Sequence, residues 1–522
     1  MRVLLVNPLF PMTFWGYQYS LGFIGKRASL PPLGLVTMAA SLPAEWQVRL
    51  VDLNLRPLGD ADILWADAVL VGGMLLQQES MREVTARARA LGRRVVVGGP
   101  AAAVAPELFS SAHVVFCGEV EGRSGELVGA VEGSAPGPLV LRPPAGVYPD
   151  LGEVPVPRFD LLELSQYASM SVQYSRGCPF SCEFCDVIEL FGRAPRVKSA
   201  GQVLAELEAL YTLGWRGSVF VVDDNFVGNR RAVRHLLPGV EAWQEEHGRP
   251  FDLYTEASLD LAGDDGLVRA MVAAGFSAVF VGIETPSREA LAAANKRQNL
   301  RVDVASAVDR LTRAGLEVMG GFIVGFDSDD REIFAAQREL IRSSAIPVAM
   351  VGLLSAMPGT ALWRRLEREG RLRGRPSGDQ FERPNFQPVM DEEELLTGYA
   401  ELMAGIYAPR EYYRRCAGLI SRIGRTPGVE GRTLEGLGAL LRAIVRIGLL
   451  GRRRRYFWGL LWRALLRGPR ALRRAVTCAI KGEHLIRYTE EILLPRIAGA
   501  VASVRRGSLA RRPQAPGISR VA

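Results

Sequence analysis

Three of the six cysteines stand in Tyr174-Ser-Arg-Gly-Cys178-Pro-Phe-Ser-Cys182-Glu-Phe-Cys185, a C-x3-C-x2-C. Three thiolates at this spacing can hold three irons of a [4Fe-4S] cluster and leave the fourth iron open, whereas structural zinc usually takes four protein ligands. No fourth ligand is nearby, because the four histidines (His113, His235, His247 and His484) all lie elsewhere in the sequence. A structural zinc and chance clustering are the alternatives. Cys117 sits in apolar strand sequence and Cys416 and Cys478 in helical sequence, so these three read as small buried hydrophobes. Six cysteines in 522 residues cannot form a disulfide framework. Their crowding points to a reducing, intracellular setting.

The elements that must carry this loop are α/β in pattern. Apolar runs at Val3 to Val6, Val48 to Val51, Ala68 to Val71, Val95 to Val97 and Val114 to Cys117 suit parallel strands covered by helices on both faces. They predict a doubly wound domain over residues 1–145. Turn signals follow several runs: Asp52 with Asn54, Gly72-Gly73, Gly98-Gly99-Pro100 and Gly118-Glu119. Open parallel sheets bind ligands at that carboxyl edge, where glycine lets backbone amides approach phosphates or a flat ring. Prolines crowd residues 134–160 and disfavour helix and central strand there, and 146–165 is expected to be a proline-rich linker. A second series of six runs, ending near Tyr174, Val222, Tyr254, Val281, Val324 and Leu354, predicts a partial (β/α)6 barrel over 166–375. Its active site belongs at the carboxyl ends of the strands. Val304, Val308 and Leu311 share one helical face between two of these runs. Residues 376–522 read as helical.

The net charge of +8 is unevenly spread. Residues 417–522 carry 22 Lys and Arg against 5 Glu and no Asp, or +17, which leaves −9 for residues 1–416. Tyr456, Phe457, Trp458, Leu460, Leu461, Trp462, Leu465 and Leu466 are interleaved with this basic sequence, as in a helix lying on an anionic membrane surface. The alternative is a helical appendage whose apolar face packs on the rest of the protein. On the membrane reading, removing residues 417–522 is expected to release the enzyme from anionic vesicles without destroying the cysteine site. No secretory signal opens the chain and no long uncharged stretch suggests a spanning helix. A cytoplasmic enzyme, peripheral on the inner face of a membrane, is expected. Nucleic acid is disfavoured as a partner, since no base-reading motif appears.

The cysteine motif, with Phe184 before its last Cys, resembles that of the radical S-adenosylmethionine (SAM) superfamily. The resemblance continues at the strand ends. Val222-Asp223-Asp224-Asn225-Phe226 stands where many members have a Gly-Gly-Glu that grips the methionyl amine. Glu256 and Gly282-Ile283-Glu284 occupy positions that face SAM in the family. Gly321-Phe-Ile323-Val-Gly325-Phe-Asp327 is similar to the family's adenine-side strand, with Ser328 where some members have an acid. With an α/β domain in front, residues 1 to about 410 resemble the cobalamin-binding radical SAM enzymes. Many cobalamin domains carry D-x-H-x-x-G, whose His ligates cobalt. Here the comparable stretch is Asp52-Leu53-Asn54-Leu55-Arg56-Pro57, which implies a lower face without imidazole. Pro31-Pro-Leu-Gly-Leu, Gln173-Tyr-Ser-Arg-Gly-Cys178 and Gly282-Ile-Glu-Thr-Pro286 look like the subgroup that includes the hopanoid C-2 methylase.

This resemblance implies a methyltransferase acting on an unactivated carbon of a small molecule or lipid, with a [4Fe-4S] cluster, SAM and methylcobalamin as cofactors. A reducing protein such as flavodoxin or ferredoxin would supply the electron. Ring closure or rearrangement by the same cofactors is the enzymatic alternative, and a cobalamin or redox sensor the non-enzymatic one.

Overall fold

The structure, a computed structural model, describes residues 1–134, 137–427 and 433–510. Six strands, β1 (Arg2–Asn7), β2 (Gln47–Asp52), β3 (Ala68–Gly72), β4 (Arg94–Gly98), β5 (Val114–Phe116) and β6 (Leu139–Leu141), form one parallel sheet in the order β2-β1-β3-β4-β5-β6. Alternate residues of each run serve opposite faces. Leu4, Val6, Val69, Val71, Val95 and Val97 enter one hydrophobic core, while Val3, Leu5, Leu70, Val96 and Val114 enter another. Both faces are therefore covered, as unbroken apolar runs require. The proline-rich segment contributes β6 at the sheet margin, the one place where neighbouring prolines can be tolerated. The chain reverses its direction of winding between β1 and β3, the switch point at which such sheets open a crevice.

β7 (Met170–Val172) begins the second unit. β8 (Ser175–Arg176) and β9 (Arg196–Val197) form a short antiparallel ribbon that encloses the cysteine loop. β10 (Gly217–Val221), β11 (Phe251–Ala257), β12 (Phe276–Glu284), β13 (Glu317–Val324) and β14 (Ala349–Leu353) complete a parallel six-stranded sheet in strict chain order from β7 to β14. The helix Val304–Ala314 between β12 and β13 buries Val308 and Leu311 as its periodicity demands, with Asp303 capping its start and Gly315 ending it at φ 119°.

The C-terminal region is not a removable appendage. The helix Pro469–Tyr488 closes the amino end of the barrel: Lys481 pairs with Glu317, the first residue of β13, at 2.9 Å, and Arg474 lies 3.9 Å from the same carboxylate. His484 is fully buried between Tyr19 N–H, which donates to its Nδ1, and the carbonyl of Thr13 at its Nε2. Burial holds its pKa down to about 4, so it stays neutral and donates from Nε2. Phe14 packs among Phe381, Tyr407 and Tyr488, tying the N-terminal segment to the last helices. On the helix Pro409–Arg422, the buried guanidinium of Arg415 donates to the carbonyls of Ile346 and Ile406 at 2.7 and 2.6 Å. Truncation at 417 would strip Glu317 of both cations and open this core. The separable tail expected from the charge count is thus corrected, because the same helices that carry the charge also fill the barrel floor.

Candidate functional site

Gly177 sets the cysteine loop. Its φ is +93°, and a Cβ there would lie 2.8 Å from the carbonyl of Gly192 and 3.0 Å from those of Phe191 and Ala194. Only glycine permits this close return of the chain. Cys182 is buried, and Cys178 and Cys185 are half-buried. The far side of the loop is pinned by Asn295, whose amide donates to the carbonyl and hydroxyl of Ser181, and by Glu183, held by Arg365 at 2.6 Å. Two side-chain amides are aimed at the thiols: Asn225 lies 3.7 Å from Cys178 Sγ and Gln298 3.7 Å from Cys182 Sγ. Among the described residues no three His, Cys, Asp or Glu side chains converge on a point that would hold a single metal ion. A cubane asks for no such convergence, since its three cysteines bind three separate irons, whereas tetrahedral zinc does. The donor set fits an iron-sulfur cluster.

The strand ends around this loop are acidic. Asp223 accepts hydrogen bonds from the backbone N–H of Tyr174 and Ser175, both at 2.8 Å, and from the Ser175 hydroxyl at 2.5 Å. It therefore positions the start of the cysteine loop, which differs from the SAM-facing role that the resemblance implied. Among the described residues Asp224 and Glu256 have no ion-pair partner within salt-bridge distance. Burial, with repulsion from Asp223 and Asp186, pushes Asp224 up to about 7, and burial, with repulsion from Asp224 and Asp223, pushes Glu256 up to about 8. The charge of Arg176 offsets only part of this for Asp224, so two acids crowd the barrel mouth with little compensation. Glu284, at φ 67°, pairs with Lys296 at 2.5 Å, and a Cβ on Gly282 would strike both partners. Just after β13, Gly325 at φ 101° exposes its N–H to Asp329, whose Oδ2 accepts from Gly325 and Phe326. Asp329 Oδ1 and Ser328 Oγ are buried without a partner, so polar atoms remain available where an adenine-like ring would lie.

A test of this acidic mouth follows from linkage. An acid whose folded pKa is raised costs stability wherever it is ionised, so the cluster-free protein should lose stability as pH rises from about 4.5 through about 8. Glu256→Gln should remove its own share of that loss, on the order of a few kcal/mol, and leave the share of Asp224. Thermal denaturation at about pH 9 should show the variant melting above the parent, while SAM binds it more weakly. Equal melting at alkaline pH would contradict the reading.

At the first sheet, the predicted positions divide into two groups. Gly72, Gly73, Gly98 and Gly99 lie side by side at the carboxyl ends of β3 and β4, where a Cβ on Gly99 would come within 3.0 Å of the backbone of Gly73. Exposed Leu9 and Met74 flank them at the ends of β1 and β3. Gly118, at φ 86°, turns the chain beside Pro143. Asp52 and Asn54, in contrast, serve the protein. Asp52 is buried, accepting from the Tyr167 hydroxyl at 2.8 Å and from Asn54, while Asn54 holds the loop after β1 through Phe10 N–H and the carbonyl of Pro8. Glu119 is likewise redirected. It pairs with Arg176 at 2.5 Å and Arg196 at 2.8 Å, and Glu121 pairs with Arg176 at 2.9 Å. This cluster joins the end of β5 to the strand that precedes Cys178. It brings the carboxyl edges of both sheets together.

A cysteine loop of this kind at the mouth of a six-stranded partial barrel, facing a doubly wound domain, defines a radical SAM enzyme with an appended α/β ligand domain. The model of the Radical SAM superfamily matches residues 172–340, and a Domain of unknown function (DUF4070) matches 360–495. An uncharacterized methyltransferase of Synechocystis sp. is 42% identical over 495 residues, covering 94% of this chain and 92% of the relative. The hopanoid C-2 methylase of Rhodopseudomonas palustris is 34% identical over 505 residues, covering 94% of each. The chain belongs to this family of radical SAM methyltransferases and transfers methyl to an unactivated carbon. The likeness extends well past residue 410, so the helical C-terminal region is part of the family's architecture. Among solved structures, TsrM of Kitasatospora setae with tryptophan and a SAM analogue superposes with a TM-score of 0.57 at 18% identity, covering 84% of this chain and 96% of TsrM. OxsB with aqua-cobalamin and SAM gives 0.57 at 13% identity, covering 97% of this chain and 81% of OxsB. Both share the fold.

Proposed function

We propose that this protein is a cobalamin-dependent radical SAM C-methyltransferase acting on a polycyclic, hopanoid-like lipid. The observation that carries the reading is the Arg176 cluster. It ties the carboxyl edge of the first sheet to the strand that leads into the cysteine loop, so that two large cofactors and a substrate carbon would meet between the two edges. When bound, the cluster and SAM supply the hydrogen-abstracting power and cobalamin the methyl group. The chain's own residues do the rest. Cys178, Cys182 and Cys185 would hold the cluster, with Asn225 and Gln298 donating toward their sulfurs. Asp224 and Glu256 would receive the cationic end of SAM, Asp223 holds the loop in register, and Gly72, Gly73, Gly98 and Gly99 would let a flat macrocycle approach the backbone. Holding reactive centres in line and excluding water is the protein's main catalytic contribution. The kinship with a hopanoid methylase over 94% of both chains supports the lipid substrate. A flavodoxin- or ferredoxin-like protein completes the reading as electron donor, and so does peripheral attachment to the inner face of a membrane.

None of the four histidines stands at the carboxyl edge of the first sheet: His113 precedes β5, His235 and His247 lie on or just after the helix Arg230–Glu246, and His484 is buried among the last helices. Labelling the protein's histidines with nitrogen-15 should therefore leave the electron paramagnetic resonance of the cob(II)alamin form unchanged. A change of its nitrogen splitting on that labelling would refute this mode of binding.

A further inference from the structure

Two helices of the C-terminal region expose apolar side chains in register. On Thr433–Ala443 and its continuation Ile444–Leu449, Leu437, Leu441, Val445 and Leu449 are exposed at steps of four residues. On and just after Arg454–Leu465, Trp458, Trp462, Leu465 and Leu466 follow at i, i+4, i+7 and i+8. These spacings place each set on one helical stripe. The stripes meet at the turn between the helices, where the Trp458 indole N–H donates to the carbonyl of Gly448 at 2.9 Å. Leu450 at that turn is 79% exposed, Leu466 74% and Trp462 65%, values that no packed side chain reaches.

The other faces of both helices are already committed. Ala443 and Ile447 on the first, and Phe457, Leu460, Leu461 and Ala464 on the second, are buried in the main core. Each helix thus has one apolar face for the protein and a second that the chain leaves uncovered. The charge around this second face is of one sign. From residue 436 to 482 the sequence holds twelve Arg and Lys and no Asp or Glu. Arg452, Arg454, Arg455, Arg463 and Arg467 are exposed beside the stripes. A protein partner would need apolar area ringed by acids, whereas an anionic bilayer offers acyl chains beneath a plane of phosphates. No helix among the described residues is long and apolar enough to cross a membrane, which leaves the interfacial arrangement.

We propose that this helical hairpin is a membrane-docking surface for anionic phospholipid, with its leucines and tryptophans set below the headgroups and its arginines at the level of the phosphates. The inference gives residues to the peripheral attachment proposed above and rests on that reading, but not on the methyl-transfer chemistry. It also gives a hopanoid-like substrate a two-dimensional route to the enzyme.

The test is flotation of the full-length, cluster-loaded protein with vesicles of phosphatidylcholine alone or mixed equally with phosphatidylglycerol. The protein should float with the mixed vesicles, and salt should weaken the association because exposed charges are screened over about 8 Å. Leu450→Ser with Trp462→Ser and Leu466→Ser, all outward-facing, should reduce partitioning roughly a hundredfold. Arg454→Glu with Arg463→Glu should reduce it roughly tenfold or more and remove the preference for phosphatidylglycerol. Cleavage of SAM in solution should be unchanged in both variants. Equal flotation of parent and variants, or no flotation of the parent, would overturn the proposal. So would a dimer in sedimentation that the serine variant dissociates, because the face would then be a contact between copies. SAM cleavage without flotation defeats the docking surface alone, and flotation without SAM cleavage defeats the catalytic reading alone.

Discussion

Replacing Cys178, Cys182 and Cys185 together by Ala will abolish both the iron content of anaerobically reconstituted protein, about four irons per chain in the parent, and the cleavage of SAM. The loop itself should survive, because its shape rests on Gly177, on Asn295 bound to Ser181 and on Glu183 bound to Arg365, none of which touches a sulfur. Circular dichroism should therefore stay native while the iron absorbance disappears. Cys416 and Cys478 are buried among the C-terminal helices, and their replacement should leave iron and cleavage nearly unchanged. Retained 5′-deoxyadenosine in the triple variant would refute the cluster assignment.

The second large effect is expected at Arg176. Its side chain is 11% exposed and those of Glu119 and Glu121 are each 7% exposed, so removing the guanidinium strands Glu121 in a dry interface and leaves Glu119 with Arg196 alone. Breaking one partner out of such a buried group costs about 3 to 5 kcal/mol. Burial alone would raise Glu121, but the hydrogen bonds and charge of Arg176 outweigh it and hold its pKa below the usual range. A lowered carboxylate stabilises the fold at pH values above its unfolded pKa and loses that contribution as pH falls through the folded value. Arg176→Ala should consequently melt well below the parent at neutral pH, with the gap closing in acid. Adding Glu121→Gln, which removes the stranded charge and leaves the Glu119–Arg196 pair intact, should recover much of the stability. Methylation should recover less than the melting temperature does, because the two sheet edges would no longer be held in register. Full recovery of both would show that the cluster is only a source of stability.

The strands of both sheets were legible because parallel strands buried on two faces must be continuous apolar runs, and the cysteines because their spacing is dictated by a cubane. The rest of the site depends on contacts that sequence distance hides. Arg176 meets Glu119 and Glu121 across the proline-rich linker, which no local pattern records. Lys296 and Gln298 reach the mouth from the 3-10 turn that follows the short helix Arg288–Ala293, and nothing in their own sequence distinguishes them from surface residues. After β13 the resemblance singles out Ser328, while the buried carboxylate that caps Gly325 and Phe326 is Asp329, one position further on. Asp52, Asn54 and Glu119 had the right residue types at strand ends but are consumed by internal hydrogen bonds and ion pairs. The basic helices concealed their packing for another reason. The helix Arg454–Leu465 is apolar on two faces, and periodicity alone cannot say that Phe457, Leu460 and Leu461 turn inward while Trp458 and Trp462 turn out.

The central claim is that cysteine loop, acidic mouth and glycine-lined edge act together to place a methyl group on an unactivated carbon. It is tested most directly by anaerobic turnover of the loaded enzyme with a pentacyclic hopanoid and SAM bearing a deuterated methyl group, read by mass spectrometry of the lipid alongside 5′-deoxyadenosine. The account predicts a product in which one hydrogen has been replaced by a trideuteromethyl group, formed together with 5′-deoxyadenosine and lost in the Cys178, Cys182 and Cys185 variant. A lipid recovered at unchanged mass, or lighter by two hydrogens, while 5′-deoxyadenosine accumulates would contradict it.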